Sequence, residues 1–161
     1  MDISKESLLV ARPNPLERYM LKLINADRAE AGLKPLAFDR DLNEAAEKHS
    51  GWMLEADTFS HTGQGGSDAD QRMETAGYDF TGEWSWGENV AWTSSHSPQG
   101  YRDEVRELHQ DLMNSPEHRA NILDGDFTEI GIGIEIADFR GQSSAFVTQD
   151  FAHSGDGTDF I

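Results

Sequence analysis

The isoleucines Ile130, Ile132, Ile134 and Ile136 alternate with Gly131, Gly133 and Glu135. A period of two commits this stretch to a strand, because successive strand side chains point to opposite faces, and one face here is wholly aliphatic. The pattern predicts a half-buried strand. The string SSAFVTQDFA that follows reads as its antiparallel partner, with Asp138 to Gln142 as the turn between them. Upstream, the apolar spacing is helical. Asn14 and Pro15 announce a helix, with Glu17 completing a capping box, and Leu16, Tyr19, Met20, Leu23, Ile24 and Asp27 keep its period until Gly32. A second helix is predicted from Asp39 to Ala56, where Leu42, Ala45, Ala46, His49, Trp52, Met53 and Ala56 share a face. A short third one begins at Ser67, with Asp70 three residues on, and ends at Gly77. A fourth starts at Ser97 and Pro98 and carries Val105, Leu108, Leu112 and Met113, and Ser115 and Pro116 open a last helical turn through Leu123. The stretch YDFTGEWSWGENVAWTSS has no clear period, and its centre is read as a short strand. Helices first and strands last favour an α+β layered domain over a βαβ array.

With 161 residues, of which 37% are hydrophobic, the chain can fill one core and not two. The 13 Lys plus Arg against 30 Asp plus Glu leave a formal charge of −17, which disfavours nucleic acid and anionic membrane, since binding to phosphates draws on basic side chains. No cysteine is present, which excludes disulfides, thiolate metal sites and a cysteine nucleophile. Apolar runs are too short for a transmembrane segment, and MDISKESLLVARPNP lacks the pattern of an N-terminal export signal. Residues 1–13 read as an arm.

The chemistry-bearing residues are His61 in FSHTGQGG, His118 in NSPEHRANIL and Glu88 in WGENVA. A glutamate flanked by glycine and bulky apolar residues needs hydrogen-bond partners or a cation to stay ionised when buried. Two imidazoles and a carboxylate are a minimal donor set for a divalent metal, although their wide separation is not a metal-ligand spacing. The same residues can equally be structural ties between loops. His49 reads as a core histidine, His109 and His96 as solvated, and Trp84, Trp86 and Trp92 as packing residues rather than a ligand groove. Gly87 reads as a backbone turn, Asn89 as closing a loop through its amide, and Arg119 as paired with a local acid.

The strings LINADRAEAGLKPL, SHTG, METAGY, WGENVA, MNSPEHRANIL, FTEIGIGI and FVTQDFA, in this order, resemble the bacterial branch of the CAP superfamily, whose other members include cysteine-rich secretory proteins, insect venom antigens and plant pathogenesis-related class 1 proteins. The resemblance spans Leu16 to Phe151, with the domain set at residues 14–153. It implies a three-layer α–β–α sandwich around a central, mainly antiparallel sheet, with a cleft where two histidines and two acidic residues gather. Motif by motif it carries over His61, Glu88 and His118, with Ser115 and Asn89 beside them along the cleft. The fourth member of the tetrad is missing: Leu112 stands where relatives have a helical tryptophan and Ser115 where they have the glutamate three residues later. Glu107 shares that helix, but no motif places it in the cleft.

The resemblance further implies that His61 and His118 hold zinc or another divalent cation weakly, with Glu88 orienting a ring rather than ligating. The function expected is a secreted binding module that recognises a small ligand, peptide or cell-surface component. Two alternatives stand beside it: a metal-assisted hydrolase of peptides or esters, or one using Ser60 or Ser115 as nucleophile, and a sterol or lipid carrier. Neither serine lies in a nucleophile elbow, so catalysis is the weaker expectation. The tail, residues 154–161, SGDGTDFI, resembles one copy of a calcium-binding nonapeptide repeat. It reads either as the start of such a module in a longer secreted protein or as a frayed acidic end.

Overall fold

The computed structural model describes residues 12–95 and 100–155. Most of the expected arm, His96, the helix start at Ser97 and Pro98, and the tail from residue 156 onward lie outside the described residues. Among the described residues the elements are α1 (Pro15–Glu30), β1 (Ala37–Phe38), α2 (Arg40–Glu55), a 3-10 turn (Gln64–Gly66), α3 (Ala69–Ala76), β2 (Glu83–Ser94), α4 (Arg102–Met113), α5 (Pro116–Ile122), β3 (Glu129–Phe139) and β4 (Gln142–Gly155). The sheet order is β1-β3-β4-β2, parallel between β1 and β3 and antiparallel elsewhere. One face carries α1, α4 and α5 over Ile130, Ile132, Ile134, Val147 and Phe151. The other carries α2 and α3 over Ala152 and Phe146. This is the expected α–β–α sandwich.

Local signals explain most of the boundaries. Asn14 Oδ1 accepts from the Glu17 N–H at 2.9 Å and Glu17 Oε1 accepts from the Asn14 N–H at 2.8 Å, closing the capping box. Asp39 caps α2 through the N–H groups of Asp41 and Leu42, both at 2.9 Å. Helix α3 is capped one residue later than expected, by Asp68 with Gln71 instead of Ser67 with Asp70. It ends at Gly77, whose φ of 114° suits glycine. The β3–β4 turn is tighter than Asp138–Gln142: Phe139 already pairs with Gln142, and Arg140 (φ 54°) and Gly141 (φ 85°) make a two-residue turn. The short strand expected near Gly87 extends over Glu83–Ser94, because it pairs with β4 along its whole length. β4 itself runs through Gly155, two residues past the boundary set at 153.

The half-buried reading of β3 needs correction. Gly131 and Gly133 do not face water; they face the backbone of α2. A Cβ on Gly131 would lie 2.1 Å from the Leu42 carbonyl carbon and oxygen, and one on Gly133 would lie 2.3 Å from those of Ala46. The helix also completes the strand's hydrogen bonding. Strand β1 covers only the first two residues of β3. Beyond it, the Ile132 N–H donates to Asn43 Oδ1 at 2.8 Å and the Ile134 N–H to Glu17 Oε2 at 2.9 Å, so side chains from α2 and α1 cap the edge that β1 leaves open.

Gly131→Ala should therefore cost on the order of 3 kcal/mol or more, since the obstruction is helix backbone rather than a mobile side chain. Urea unfolding checks this; a midpoint unchanged from wild type would show that α2 sits farther from the sheet.

Candidate functional site

Strand β2 is an edge strand, and its alternation divides the expected site residues between the two faces of the sheet. Gly87 and Asn89 point toward α5. Glu88 points to the other face, toward α3 and the loop that carries His61. Gly87 is extended and does not turn the chain; its missing Cβ lets Asn121 and Phe127 approach, since a Cβ there would lie 2.9 Å from Asn121 Oδ1. Asn89 is fully buried and donates to the His118 carbonyl at 3.1 Å and to Gln149 Oε1 at 3.0 Å, and it accepts from Asn121 Nδ2 at 2.8 Å. It ties α5 to the sheet and does not wall the cleft.

Glu88 anchors the open side. Its carboxylate is 2% exposed and takes Arg72 Nη2 on both oxygens, at 2.9 and 2.7 Å. Arg72 Nη1 in turn donates to the Ser67 carbonyl at 2.8 Å. Glu88 Oε1 also accepts from His61 Nδ1 at 2.9 Å, while the His61 ring is 59% exposed. Nδ1 carries the proton it donates to the carboxylate, so in the neutral ring Nε2 presents a lone pair to solvent. Burial works to raise the Glu88 pKa, and the bonds from His61 and Asp150 with the charges of Arg72 and His49 outweigh it, bringing it to about 2. The bond to Glu88, opposed by burial, raises the pKa of His61.

His118 lies on α5, half-buried, with Nδ1 2.8 Å from Ser115 Oγ. Ser115 is the helix N-cap and His118 stands three residues on, so the contact is local to the helix start. Burial, and then the charge of His61, lower the pKa of His118. The two histidines thus sense one another yet open into separate hollows. His61 lines a cavity of about 300 Å³ with Asp68, Ala69, Trp86 and Glu88. His118 lines one of about 260 Å³ that includes Phe59, Trp92, Asp111 and Ser115. Among the described residues, no three His, Cys, Asp or Glu side chains converge on a metal position.

Two members of this network are not evident in the motifs. Arg72 has no motif signal. Asp150 does carry one in retrospect, as a lone acid inside the apolar string FVTQDFA. It pairs with Glu88 across β2 and β4 and with Gly131 across β3, which puts it under α2 with no exposed surface. With both carboxyls ionised, neither Asp150 oxygen has a donor in reach. Burial and the charge of Glu88 raise its pKa well above 3.8, so Asp150 keeps its proton and donates it to Glu88.

Other readings sort as follows. His49 is a core histidine, with Nε2 2.8 Å from the Ser60 carbonyl and its ring stacked on Trp52. His109 is not solvated: it is 5% exposed, with Nε2 2.6 Å from Asp27 Oδ2, a contact that joins α4 to α1. Arg119 is exposed and makes no ion pair among the described residues. Trp84, Trp86 and Trp92 are 53%, 38% and 39% exposed, so packing accounts for only part of each ring.

The two carboxyls give stability opposite pH dependences. Glu88 contributes fully above its ordinary 4.5 and loses that contribution as the pH falls toward 2. Asp150 contributes fully below its ordinary 3.8 and loses it as the pH rises through its raised folded value. Asp150→Asn keeps a donor for Glu88 and has no proton to lose. Its stability relative to wild type should rise with pH above the ordinary 3.8 of Asp150, as read from urea unfolding across a pH series. Parallel curves would show that Asp150 is ionised in the folded protein.

The profile of the CAP family, described as the cysteine-rich secretory protein family, matches residues 21–151. The uncharacterized protein YkwD of Bacillus subtilis (strain 168) is 32% identical over 117 residues, covering 73% of this chain and 41% of that protein. The uncharacterized membrane protein YlbC of the same organism is 30% identical over 119 residues, covering 74% of this chain and 31% of that protein. Among solved structures, an extracellular protein containing an SCP domain from Bacillus anthracis str. Ames superposes with a TM-score of 0.65 and 29% identity, over 83% of this chain and 39% of that one. The chain thus spans only 31–41% of these relatives' own lengths. No described helix is long and apolar enough to cross a membrane. A family profile matched over residues 21–151, with the same layered fold, leads to one conclusion: this cysteine-free chain belongs to the CAP, or cysteine-rich secretory protein, family.

Proposed function

We propose that the chain is a secreted binding module whose cleft, along the edge of β2, takes a small ligand, peptide or cell-surface component and holds a divalent cation weakly at His61 and His118. The observation that carries this reading is the 2.9 Å bond from His61 Nδ1 to Glu88, itself clamped by Arg72. A carboxylate behind an imidazole fixes the tautomer and turns the other nitrogen outward, the usual support for a metal-binding histidine. The donor set fits in part: both rings have Nδ1 engaged, by Glu88 and by Ser115, which leaves Nε2 on each for a ligand. Two nitrogens without a third protein ligand make a modest site completed by water. The cation would supply positive charge and a Lewis-acidic position; the chain's own part is to hold the rings.

The Ser115–His118 contact of 2.8 Å is the observation a hydrolase reading would use. It presents Nδ1 to the hydroxyl, and among the described residues no carboxylate is bonded to the ring's other nitrogen. Hydrolysis of a peptide or ester by the Zn²⁺-loaded protein, lost in His61→Ala, would replace the binding reading.

Calorimetric titration of Zn²⁺ should show saturable binding that disappears in a folded His61→Ala, His118→Ala double variant. Because Glu88 raises the pKa of His61, protons compete there, and affinity should fall as the pH is lowered through that raised value. Identical weak heats in both proteins would reduce the cleft to a histidine-lined surface without a cation. The fold itself needs no metal, since its core is closed by apolar contacts; a chelator should leave the Tm unchanged, and a large drop would reveal a structural ion.

A further inference from the structure

The two hollows beside β2 share a composition that the histidines do not explain. One places Trp86, 38% exposed, with Asp68. The other places Trp92 and Phe59, 39% and 45% exposed, with Asp111. Each hollow is therefore an open aromatic ring beside a surface carboxylate. Trp92 is backed by Phe146, with ring centroids 5.7 Å apart and planes 16° from parallel, so its outer face is a firm platform. Neither Asp68 nor Asp111 makes an ion pair among the described residues, whereas Glu88 between them is neutralised by Arg72.

The unpaired charges along this groove are two carboxylates, Asp111 and Asp68, the latter also capping α3, and the neutral His61 ring turns an acceptor nitrogen outward. A matching ligand offers donors and a flat face. Guanidinium has five N–H donors and no acceptor, and it stacks on aromatic rings. A cation over a tryptophan face is attracted by the ring's negative face, and the chain's charge of −17 draws cationic partners toward it.

We propose that the groove along β2 binds an extended arginine-rich peptide, with one guanidinium between Trp86 and Asp68 and a second between Trp92 and Asp111. The two tryptophans stand six strand positions apart, roughly 20 Å at ~3.3 Å per residue. Both lie on the same face of β2, so the matching arginines stand six positions apart in an extended partner. This rests on the reading of the cleft as a binding surface but not on the cation.

The test uses calorimetry in the presence of a chelator, which separates it from the Zn²⁺ titration. The probe is a peptide of about seven residues with arginine at each end and serine and glycine between. A second peptide of the same charge has its arginines adjacent. The spaced peptide should bind saturably, shift the indole N–H signals of Trp86 and Trp92 in NMR spectra, and bind roughly tenfold more tightly than the adjacent one. Asp68→Asn with Asp111→Asn should weaken it roughly tenfold, while the charge-matched pair Asp126→Asn with Asp138→Asn should not. Asparagine caps a helix as well as aspartate does, so α3 is spared in the test variant. Equal affinity for the two peptides, or equal loss in the two double variants, overturns the proposal in favour of bulk charge attraction. No binding of the spaced peptide, or saturable binding of a neutral oligosaccharide in its place, overturns it as well.

Discussion

The contact between α2 and the glycines of β3 is the constraint on which the rest of the structure depends. Side chains normally hold a helix about 10 Å from a sheet. Here two positions of the strand have none, and the helix backbone settles against them. That approach brings Asn43 within reach of the Ile132 N–H and Ser50 within 2.8 Å of the Gly133 carbonyl. It also buries whatever lies beside the glycines on β4, which includes Asp150 and Thr148. Residues at the floor of the site are therefore dry because of two absent side chains one strand away.

That dryness forces the chain to resolve its charges internally, despite a surface that carries most of a net −17. Arg28, 1% exposed, donates to the carbonyls of Lys34, Ile122 and Asp124 at 2.8, 2.8 and 3.0 Å and to that of Phe127 at 3.4 Å. It stitches the loop after α1 and the end of α5 with its following loop to α1, without a carboxylate in direct contact. Two carboxyl pairs use another solution, a shared proton. In one, Glu17 is buried and Glu47 is pushed up to about 9, by burial first and then by the hydrogen bond and charge of Glu17. In the other, Asp150 holds the proton and Glu88 the charge. The difference lies in the neighbours: Arg72 and His61 reach Glu88 and hold it ionised, and that charge orients the exposed ring of His61.

Much of the architecture was legible in the sequence. The capping signals at Asn14 and Asp39 are local, and the isoleucine ladder can be buried only as a strand. The motifs singled out Glu88, which lies on the edge strand with His61 bonded to it, and His118, which stands on α5 and opens into a separate hollow. What escaped is of another kind. His109 looks solvated in a charged helical string, but α1 brings Asp27 to it. Asn89 sits next to Glu88 in the chain and on the opposite side of the sheet, because consecutive strand residues must part. The two-residue β1 has no period to detect, and Arg72 reaches Glu88 across 16 residues of sequence through a side chain whose direction only the packed α3 sets.

By itself, the sequence determined the element types, the apolar faces, the caps and the residues able to do chemistry, because each follows from spacing along the chain. Tertiary structure alone decided which acid keeps a proton, which imidazole nitrogen faces water, and that two tryptophans stay open beside two carboxylates without an ion pair among the described residues. Those outcomes depend on distance and desolvation between segments far apart in sequence. Coulomb interactions and burial are set in space, and no periodicity encodes them.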